Sequence, residues 1–156
     1  QRARGFGMEI HYHNRNKLSA DLELGSTYHA DIKSLFSQSE FLSINCPATA
    51  ETTNLLNEET IKILPDKAVV ANAARGDIID DKAMIKAMKS GKIFALGLDV
   101  YNGEPKINEE YLKLDNLFLL PHLGSSTKRT RIDMGDRAIN NLEVFFSGKK
   151  AKDQVN

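Results

Sequence analysis

Three polar side chains of different chemistry follow three short apolar segments of the chain. Arg75 ends the segment VVANAAR, Glu104 ends FALGLDVYNGE, and His122 ends LFLLPH. The carboxyl ends of parallel strands meet at one edge of a sheet, so we expect the three side chains to lie close together if these segments are parallel strands. An arginine, a carboxylate and a histidine gathered there form a site that could reduce a carbonyl group.

Each of the three residue types suits one task in the reduction of a 2-oxo acid. The planar guanidinium of Arg75 can bind the substrate carboxylate through two hydrogen bonds and polarise the neighbouring ketone. His122 can donate the proton that the reduced oxygen requires, since histidine changes charge near neutral pH. Glu104 can stabilise the imidazolium and fix which ring nitrogen faces the substrate. In the oxidation direction the same histidine would act as the base.

Each of the three also has a plainer interpretation that the sequence leaves open. Arg75 could form a surface ion pair, and Glu104 could serve only the turn before a proline. His122 could be a structural histidine. The remaining histidines lack this context, and we interpret them as surface or structural residues: His11, His13 and His29.

The composition is that of an ordinary globular protein. The 156 residues are 41% hydrophobic and carry 21 basic and 21 acidic side chains, so nothing electrostatic favours a nucleic acid or an anionic membrane as partner. The longest apolar segments are too short to span a bilayer, and no signal peptide opens the chain. We therefore predict a cytoplasmic location, with neither a nucleic acid nor a membrane as partner.

The single cysteine, Cys46, has no partner for an internal disulfide, and no second Cys or His lies at metal-ligand spacing from it. We interpret it as a small buried residue at a strand end. The sequence therefore predicts no metal site.

Short β-type segments alternate with helical segments along the whole chain, which predicts a parallel α/β sheet within one domain. Strands are predicted at 8–13, 41–45, 68–72, 94–99 and 117–120, all apolar enough to be covered on both faces, with a weaker one at 26–28. Helices are predicted at 31–38, 58–64, 80–90 and 127–147, the third capped by Asp80 or Asp81 and followed by Gly91. The fourth helix should pack in the core and close the sheet through its apolar residues: Met134, Ala138, Leu142, Phe145 and Phe146.

The first two glycines form a Gly5-Phe6-Gly7 segment that precedes a predicted strand. A dinucleotide-binding glycine loop instead follows a strand and opens a helix, so the phosphate loop is not here. We predict that residues 1–4 are the tail of a helix that Gly5 ends, and that Met8 begins the next strand. The chain would then start one βα unit late.

The first predicted strand ends in a basic tip that contains Asn14, Arg15 and Lys17. In a dinucleotide-binding fold this tip meets the adenosine ribose, where an acidic residue would select NAD. Asn14 stands at that position, and a guanidinium with a nearby ammonium can bind a 2′-phosphate. The tip therefore favours NADP over NAD, while a solvated basic turn stays open as the alternative.

Three segments, in order and spacing, resemble the signatures of the D-isomer-specific 2-hydroxyacid dehydrogenases. They are NAARGD at 72–77, GLDVYNGEP at 97–105 and LPHLGS at 120–125, so that Glu104 follows Arg75 by 29 residues and His122 follows Glu104 by 18. GFGM at 5–8, CPATAET at 46–52 and LP at 64–65 also look like that family's nucleotide domain. The resemblance covers almost the whole chain, and DVYNGEP and FLLPHLGSST are closest to the glyoxylate and hydroxypyruvate reductases.

This resemblance implies a Rossmann-like, doubly wound parallel α/β sheet and an NAD(P)-dependent 2-hydroxyacid dehydrogenase. Its substrate would be a small 2-oxo acid, glyoxylate or hydroxypyruvate, its catalytic residues would be Arg75, Glu104 and His122, and the parent protein would be a homodimer. The alternative is a non-catalytic, dinucleotide-sensing binding module, as in corepressors that resemble this family.

Contacts to NADP or NAD follow from the same resemblance. Cys46 and Pro47 would lie beside the nicotinamide, while the Ala73 carbonyl and the Asp99 carboxylate would face its carboxamide. Asp99 could instead cap a loop. The implied cofactor-binding residues are Asn14, Arg15, Cys46, Pro47, Ala73, Arg75, Asp99, His122, Gly124 and Ser125.

Two parts of such an enzyme are not visible in the sequence: the first βα unit with its glycine loop, and the substrate domain. We therefore expect residues 1–156 to form a partial dinucleotide-binding domain, truncated at its N-terminus. Cofactor affinity should be poor without the backbone donors of the phosphate loop, and the chain alone should be inactive. The absent strand would also leave its two neighbours without their central partner.

Overall fold

The computed structural model describes residues 2–155. It divides into two compact units, one that ends at Pro121 and one that begins at His122, and each is described by itself. The prediction of a single domain over residues 1–156 stays a prediction, and its first and last residues, Gln1 and Asn156, lie outside the described residues.

The first unit alternates strands and helices, as the sequence predicted. Three short 3₁₀ helices, Ala3–Phe6, Gly76–Ile78 and Tyr111–Lys113, lie among them. In chain order the other elements are β1 (His11–Tyr12), α1 (Ala20–Glu23), β2 (Thr27–Tyr28), α2 (Ile32–Ser37), β3 (Phe41–Ile44), α3 (Glu58–Ile63), β4 (Ala68–Asn72), α4 (Asp81–Lys89), β5 (Ile93–Leu98) and β6 (Leu117–Leu119). Helix α1 and the 3₁₀ helices Gly76–Ile78 and Tyr111–Lys113 were not predicted.

All strand pairs in this unit are parallel, which confirms the predicted α/β class. The larger sheet has the order β3-β4-β5-β6, and its register aligns Leu42 with Val70, Val70 with Leu96, and Leu96 with Leu117. A second sheet contains only β1 and β2. The carboxyl ends of β3 to β6 therefore share one edge of the larger sheet.

One face of the larger sheet forms the hydrophobic core. Alternate strand residues such as Val70 and Leu96 are buried on this face, and helices α2, α3 and α4 add Phe36, Ile61 and Met84. Burial at every second strand position follows from the pleat, which directs successive side chains to opposite faces. The core thus fixes the strands that carry the predicted site.

The opposite face of the sheet is open in the part of the chain that the structure describes. Phe41 on β3 is 62% exposed and Phe118 on β6 is 66% exposed, and Ala71 between them is also exposed. The prediction that the strands are covered on both faces is therefore wrong for these residues. The strands are apolar on both sides, but helices α2, α3 and α4 contribute to the core on one side.

Helix α4 begins and ends as predicted. Asp80, not Asp81, is its N-cap, and its carboxylate accepts hydrogen bonds from the backbone N–H groups of Lys82 and Ala83 at 2.9 and 3.2 Å. Gly91 follows the helix with a φ of 78°, a left-handed conformation that glycine adopts without strain.

The second unit contains one long helix, α5 (Lys128–Phe146), which Thr127 caps by accepting a hydrogen bond from the Thr130 N–H at 3.1 Å. None of its residues is buried, and Leu142 and Phe146 are largely exposed. The prediction that this helix packs in the core is wrong, and the prediction that it closes the sheet stays a prediction. Helical spacing made one face apolar, but amphipathic spacing does not supply a surface to cover that face.

The N-terminal segment corrects a second prediction. The helical turn Ala3–Phe6 runs through Gly5 and ends at Gly7, which has a φ of 75° and whose N–H is directed at the carbonyls of Ala3 and Arg4. Gly7 therefore ends the turn, because the left-handed conformation lies there and not at Gly5. The next strand begins at His11 and not at Met8.

Candidate active site

Arg75 lies in the turn that follows β4, and a buried asparagine shapes this turn. Asn72 is 1% exposed; its side chain accepts a hydrogen bond from the Ala74 N–H at 3.0 Å and donates one to the Arg75 carbonyl at 2.8 Å. The guanidinium of Arg75 is at the surface and donates to the Ala74 carbonyl at 2.6 Å. The turn thus presents a charged, solvent-accessible group at the carboxyl edge of the sheet.

The loop after β5 lies directly against the residue that follows Arg75. A Cβ atom added to Gly76 would lie 2.0 Å from the Tyr101 carbonyl carbon and 2.2 Å from the Asn102 nitrogen. No side chain of any size fits in this space, so glycine is required at position 76. The Arg75 turn and the loop that carries Glu104 are therefore held together by a contact between two backbones.

Glu104 lies in that loop and is exposed. One of its carboxylate oxygens accepts a hydrogen bond from the Tyr101 N–H at 2.9 Å. The Tyr101 hydroxyl donates to the Leu120 carbonyl at the end of β6. Burial, with the negative charge of Asp99 adding to it, raises the pKa of Tyr101, so its hydroxyl stays a neutral donor.

His122 is the first residue of the second unit, and it follows Pro121 after β6. It is exposed and has a φ of 54°, which is uncommon for a residue other than glycine. Gly124 and Ser125 follow in the loop that leads to α5. The joint action of His122 with Arg75 and Glu104 stays a prediction.

The predicted nicotinamide contacts follow the ends of three neighbouring strands. Cys46 and Pro47 follow β3, Ala73 follows β4, and Asp99 follows β5, where its N–H donates to the Asn72 carbonyl at 3.0 Å. Asp99 is buried, whereas Cys46 is half-buried. Burial raises the pKa of the Cys46 thiol, which favours its neutral form.

The predicted adenosine contacts lie at the exposed tip that follows β1. The Tyr28 hydroxyl donates to the Asn14 carbonyl at 3.2 Å and so fixes the backbone of the tip. Arg15 is exposed. The Thr49 hydroxyl is the main cause of the lowered pKa of Glu51, and the charge of Arg15 contributes to it. Lys17 lies 3.6 Å from the carboxylate of Glu23, so this ammonium is partly neutralised.

The three remaining histidines are half-buried and hydrogen-bonded, as a structural role requires. Nδ1 of His11 lies 2.8 Å from Nε2 of His29, and Nδ1 of His13 lies 2.8 Å from the His29 carbonyl. The second ring nitrogen of His29 lies 2.8 Å from the Ser34 hydroxyl. These contacts tie β1, β2 and the start of α2 together.

Within residues 2–155, no cluster of three or more His, Cys, Asp or Glu side chains has the arrangement of a metal site. None of the helices in that range is both long and apolar enough to cross a membrane.

Sequence reasoning missed Asn72 and Tyr101 as organising residues of this edge. Asn72 did carry a signal, because a polar residue at the end of an apolar strand has to satisfy its hydrogen bonds within a turn. Tyr101 carried no such signal, since its partners lie on three different segments.

Comparison with known proteins shows what this chain is similar to. Residues 1–124 match the model of the D-isomer specific 2-hydroxyacid dehydrogenase, NAD binding domain. A glycerate dehydrogenase from Hyphomicrobium methylovorum is 41% identical over 150 residues, which cover 95% of this chain and 47% of that protein. The chain spans about half the length of the curated relatives it matches.

Two solved structures share the fold over nearly the whole chain. A glyoxylate reductase from Paecilomyes thermophila has a TM-score of 0.91 and 40% identity, covering 99% of this chain and 47% of its own. An NADPH-dependent glyoxylate/hydroxypyruvate reductase from Sinorhizobium meliloti, in complex with NADP and malonate, has a TM-score of 0.90 and 34% identity, covering 97% of this chain and 46% of its own.

Proposed function

Since this chain belongs to the D-isomer specific 2-hydroxyacid dehydrogenase family, we propose that its full-length protein reduces a small 2-oxo acid to the 2-hydroxy acid with NAD(P)H. Glyoxylate and hydroxypyruvate are the proposed substrates. The relatives named above are reductases and dehydrogenases of such acids, which favours the enzyme over a binding module.

One observation carries this proposal. Two of the three groups, Arg75 and Glu104, lie on adjoining loops whose backbones are in direct contact. Arg75 and Glu104 follow the neighbouring strands β4 and β5, and Gly76 brings their loops into backbone contact. His122 follows the next strand, β6, after only two intervening residues. The order of the three groups along the chain is thus the order of neighbouring strands in the sheet.

The side chains divide the chemistry as follows. Arg75 binds the substrate carboxylate and polarises the ketone oxygen, which becomes more negative during the reduction. His122 donates a ring proton to that oxygen, and Glu104 stabilises the charged imidazole before the transfer. In the reverse direction His122 accepts the proton. A bound nicotinamide supplies the hydride.

The residues at the strand ends fit a nicotinamide dinucleotide at its two ends. Asp99 is a buried carboxylate beside the predicted nicotinamide position, and a carboxylate can accept a hydrogen bond from the carboxamide of the ligand. Pro47 and Ala73 are exposed at the same edge and leave room for a flat ring. The set Cys46, Pro47, Ala73, Asp99, Gly124 and Ser125 would hold the nicotinamide end, and Asn14 and Arg15 would hold the adenosine end.

The chemistry of the β1 tip supports NADP as the cofactor. Arg15 is an exposed guanidinium on a backbone that Tyr28 fixes through the Asn14 carbonyl. A guanidinium binds a 2′-phosphate through two hydrogen bonds, whereas Asn14 cannot repel that phosphate as a carboxylate would.

We also propose that residues 1–156 form part of a dinucleotide-binding domain and that the substrate domain lies elsewhere in a longer protein. The chain matches only about half of each named relative. The sheet β1-β2 is separate from β3-β6, as expected if a further strand of a doubly wound sheet belongs between them. A cytoplasmic homodimer stays a prediction from the sequence.

The test uses the full-length protein with glyoxylate. We expect faster reduction with NADPH than with NADH, and we expect His122→Ala to lower kcat by about 10²–10⁴-fold because the proton donor is lost. Binding of NADPH to the variant, measured by fluorescence titration, should stay within about twofold, since a proton donor is not a major source of cofactor affinity.

Two results would contradict these proposals separately. Equal losses of kcat and of NADPH affinity in His122→Ala would mean that this histidine is structural. A strong preference for NADH would remove the role assigned to Arg15 without affecting the proposed reaction.

A further inference from the structure

Tyr101 contacts Gly76, Glu104 and Leu120, which lie next to Arg75, at Glu104 itself and two residues before His122. It lies just after β5, in the middle of the three strands whose ends carry these groups. Its carbonyl group, its backbone N–H and its side-chain hydroxyl each contact a different residue.

The first contact is between backbones. The Tyr101 carbonyl lies so close to Gly76 that an added Cβ would come within 2.0–2.1 Å of it. Gly76 follows Arg75 directly, so the position of the Arg75 turn depends on the path of the chain at Tyr101.

The second contact orients the carboxylate. The Tyr101 N–H donates a hydrogen bond of 2.9 Å to Oε1 of Glu104. The carboxylate oxygen is the acceptor in this bond, which restricts the rotation of the side chain.

The third contact reaches the next strand. The Tyr101 hydroxyl donates to the Leu120 carbonyl, while the Leu120 N–H donates to the Leu98 carbonyl at 2.8 Å. Leu120 is thereby held on both its N–H and its C=O, at a point two residues before His122.

From these three contacts we propose that Tyr101 is a positioning residue that couples the segments of Arg75, Glu104 and His122. The role of its hydroxyl is to fix the chain at Leu120, and thereby the start of the segment that carries the proton donor. This inference rests on the proposed 2-oxo acid reduction. It adds a residue that does not touch the substrate and acts only through the others.

The test is Tyr101→Phe in the full-length protein, because phenylalanine keeps the ring and both backbone contacts and removes only the hydroxyl. We expect kcat for glyoxylate to fall about tenfold, since small displacements of a catalytic group are costly. The dissociation constant of NADPH should stay within about twofold.

Tyr111→Phe is the matched control. Tyr111 is 2% exposed, and its hydroxyl donates to the Asp81 carboxylate at 3.0 Å rather than to the Leu120 carbonyl. Removal of this hydroxyl should lower the melting temperature at least as much as Tyr101→Phe does. It should leave kcat unchanged.

Amide hydrogen exchange in the same proteins separates this inference from the proposed function. The amides of Leu120 and His122 should exchange faster in Tyr101→Phe but not in Tyr111→Phe, whether or not the protein is active. An inactive wild type would reject the proposed reduction while exchange still tests the coupling. Unchanged exchange, an unchanged kcat in an active protein, or equal kcat losses in both variants would overturn the role of Tyr101.

Discussion

The two sheets of the first unit are held together by different forces. The larger sheet, β3 to β6, rests on a hydrophobic core with fully buried residues such as Val70 and Leu96. The smaller sheet, β1 and β2, contains no buried residue, and side-chain hydrogen bonds such as that between His11 and His29 hold it. The difference matters because the proposed catalytic groups follow strands of the larger sheet, whereas the proposed adenosine contacts follow β1 of the smaller sheet.

Apolar packing and polar pairing respond differently to change. A packed core is sensitive to volume and insensitive to the ionisation of side chains, because its contacts are dispersion and burial. Hydrogen bonds between half-buried polar groups add little net stability each, since water competes for the same groups. The carboxyl edge of the larger sheet should therefore be rigid, and the tip that follows β1 should be more mobile.

Gly76→Ala should have the largest effect on the side of the larger sheet. An added Cβ would overlap the Tyr101 carbonyl carbon at 2.0 Å, so one of the two loops has to move. We expect the free energy of unfolding of the 156-residue chain, measured in urea, to fall by about 3 kcal/mol.

Gly97→Ala is the control for that variant. Gly97 lies on β5, and nothing is within 4 Å of an added Cβ. Alanine there should change stability by less than about 0.5 kcal/mol. Equal losses in the two variants would mean that the backbone contact at Gly76 does not hold the loops together.

His29→Ala should have a smaller effect, on the side of the smaller sheet. It removes the ring contacts to His11 and Ser34 and should lower the free energy of unfolding by about 1–2 kcal/mol. In the full-length protein the affinity for NADPH should fall several-fold while kcat stays unchanged, because the loosened element carries the adenosine tip. A fall in kcat without a change in NADPH affinity would contradict the assignment of catalysis to the larger sheet and of cofactor binding to the smaller one.

Glu110→Gln should have the smallest effect. Lys113 and Lys89 lower the pKa of Glu110 to about 2, so its ionised form stabilises the fold above its ordinary pKa. That stabilisation should disappear as the pH falls from about 4.5 to about 2. The carboxylate is exposed and its charge is screened by solvent, so its contribution is small. Over this pH range the melting temperature of the variant should therefore change less with pH than that of the wild type, by only about a degree or two. A larger change would mean that surface charge and not the core stabilises the larger sheet.

The strands and most helices could be predicted because they depend on local sequence. The apolar segment Ala68–Asn72 was predicted with its observed bounds, and Asp80, one of the two predicted candidates, caps α4. The end of the first helical turn was predicted at Gly5 and lies at Gly7, since either glycine could adopt the left-handed conformation. Local sequence gives the candidates and packing selects among them.

The relations between elements could not be predicted in the same way. The apolar face of α5 was readable, but whether another surface covers it depends on residues far away in the chain. Arg75 and Glu104 were identified by type and position, whereas Asn72 and Tyr101 act on backbone atoms of other segments. Such contacts leave no fixed spacing in the sequence, and they are the part of the candidate site that the structure adds.

The contact at Gly76 has a consequence for how this sequence can diverge. A clash between two side chains can be relieved by a second substitution that makes the partner smaller. Here the partner is the peptide bond between Tyr101 and Asn102, which every residue type contributes alike. No replacement at position 101 or 102 can therefore rescue a larger residue at 76. Position 76 should remain glycine in related sequences unless the length of the loop changes.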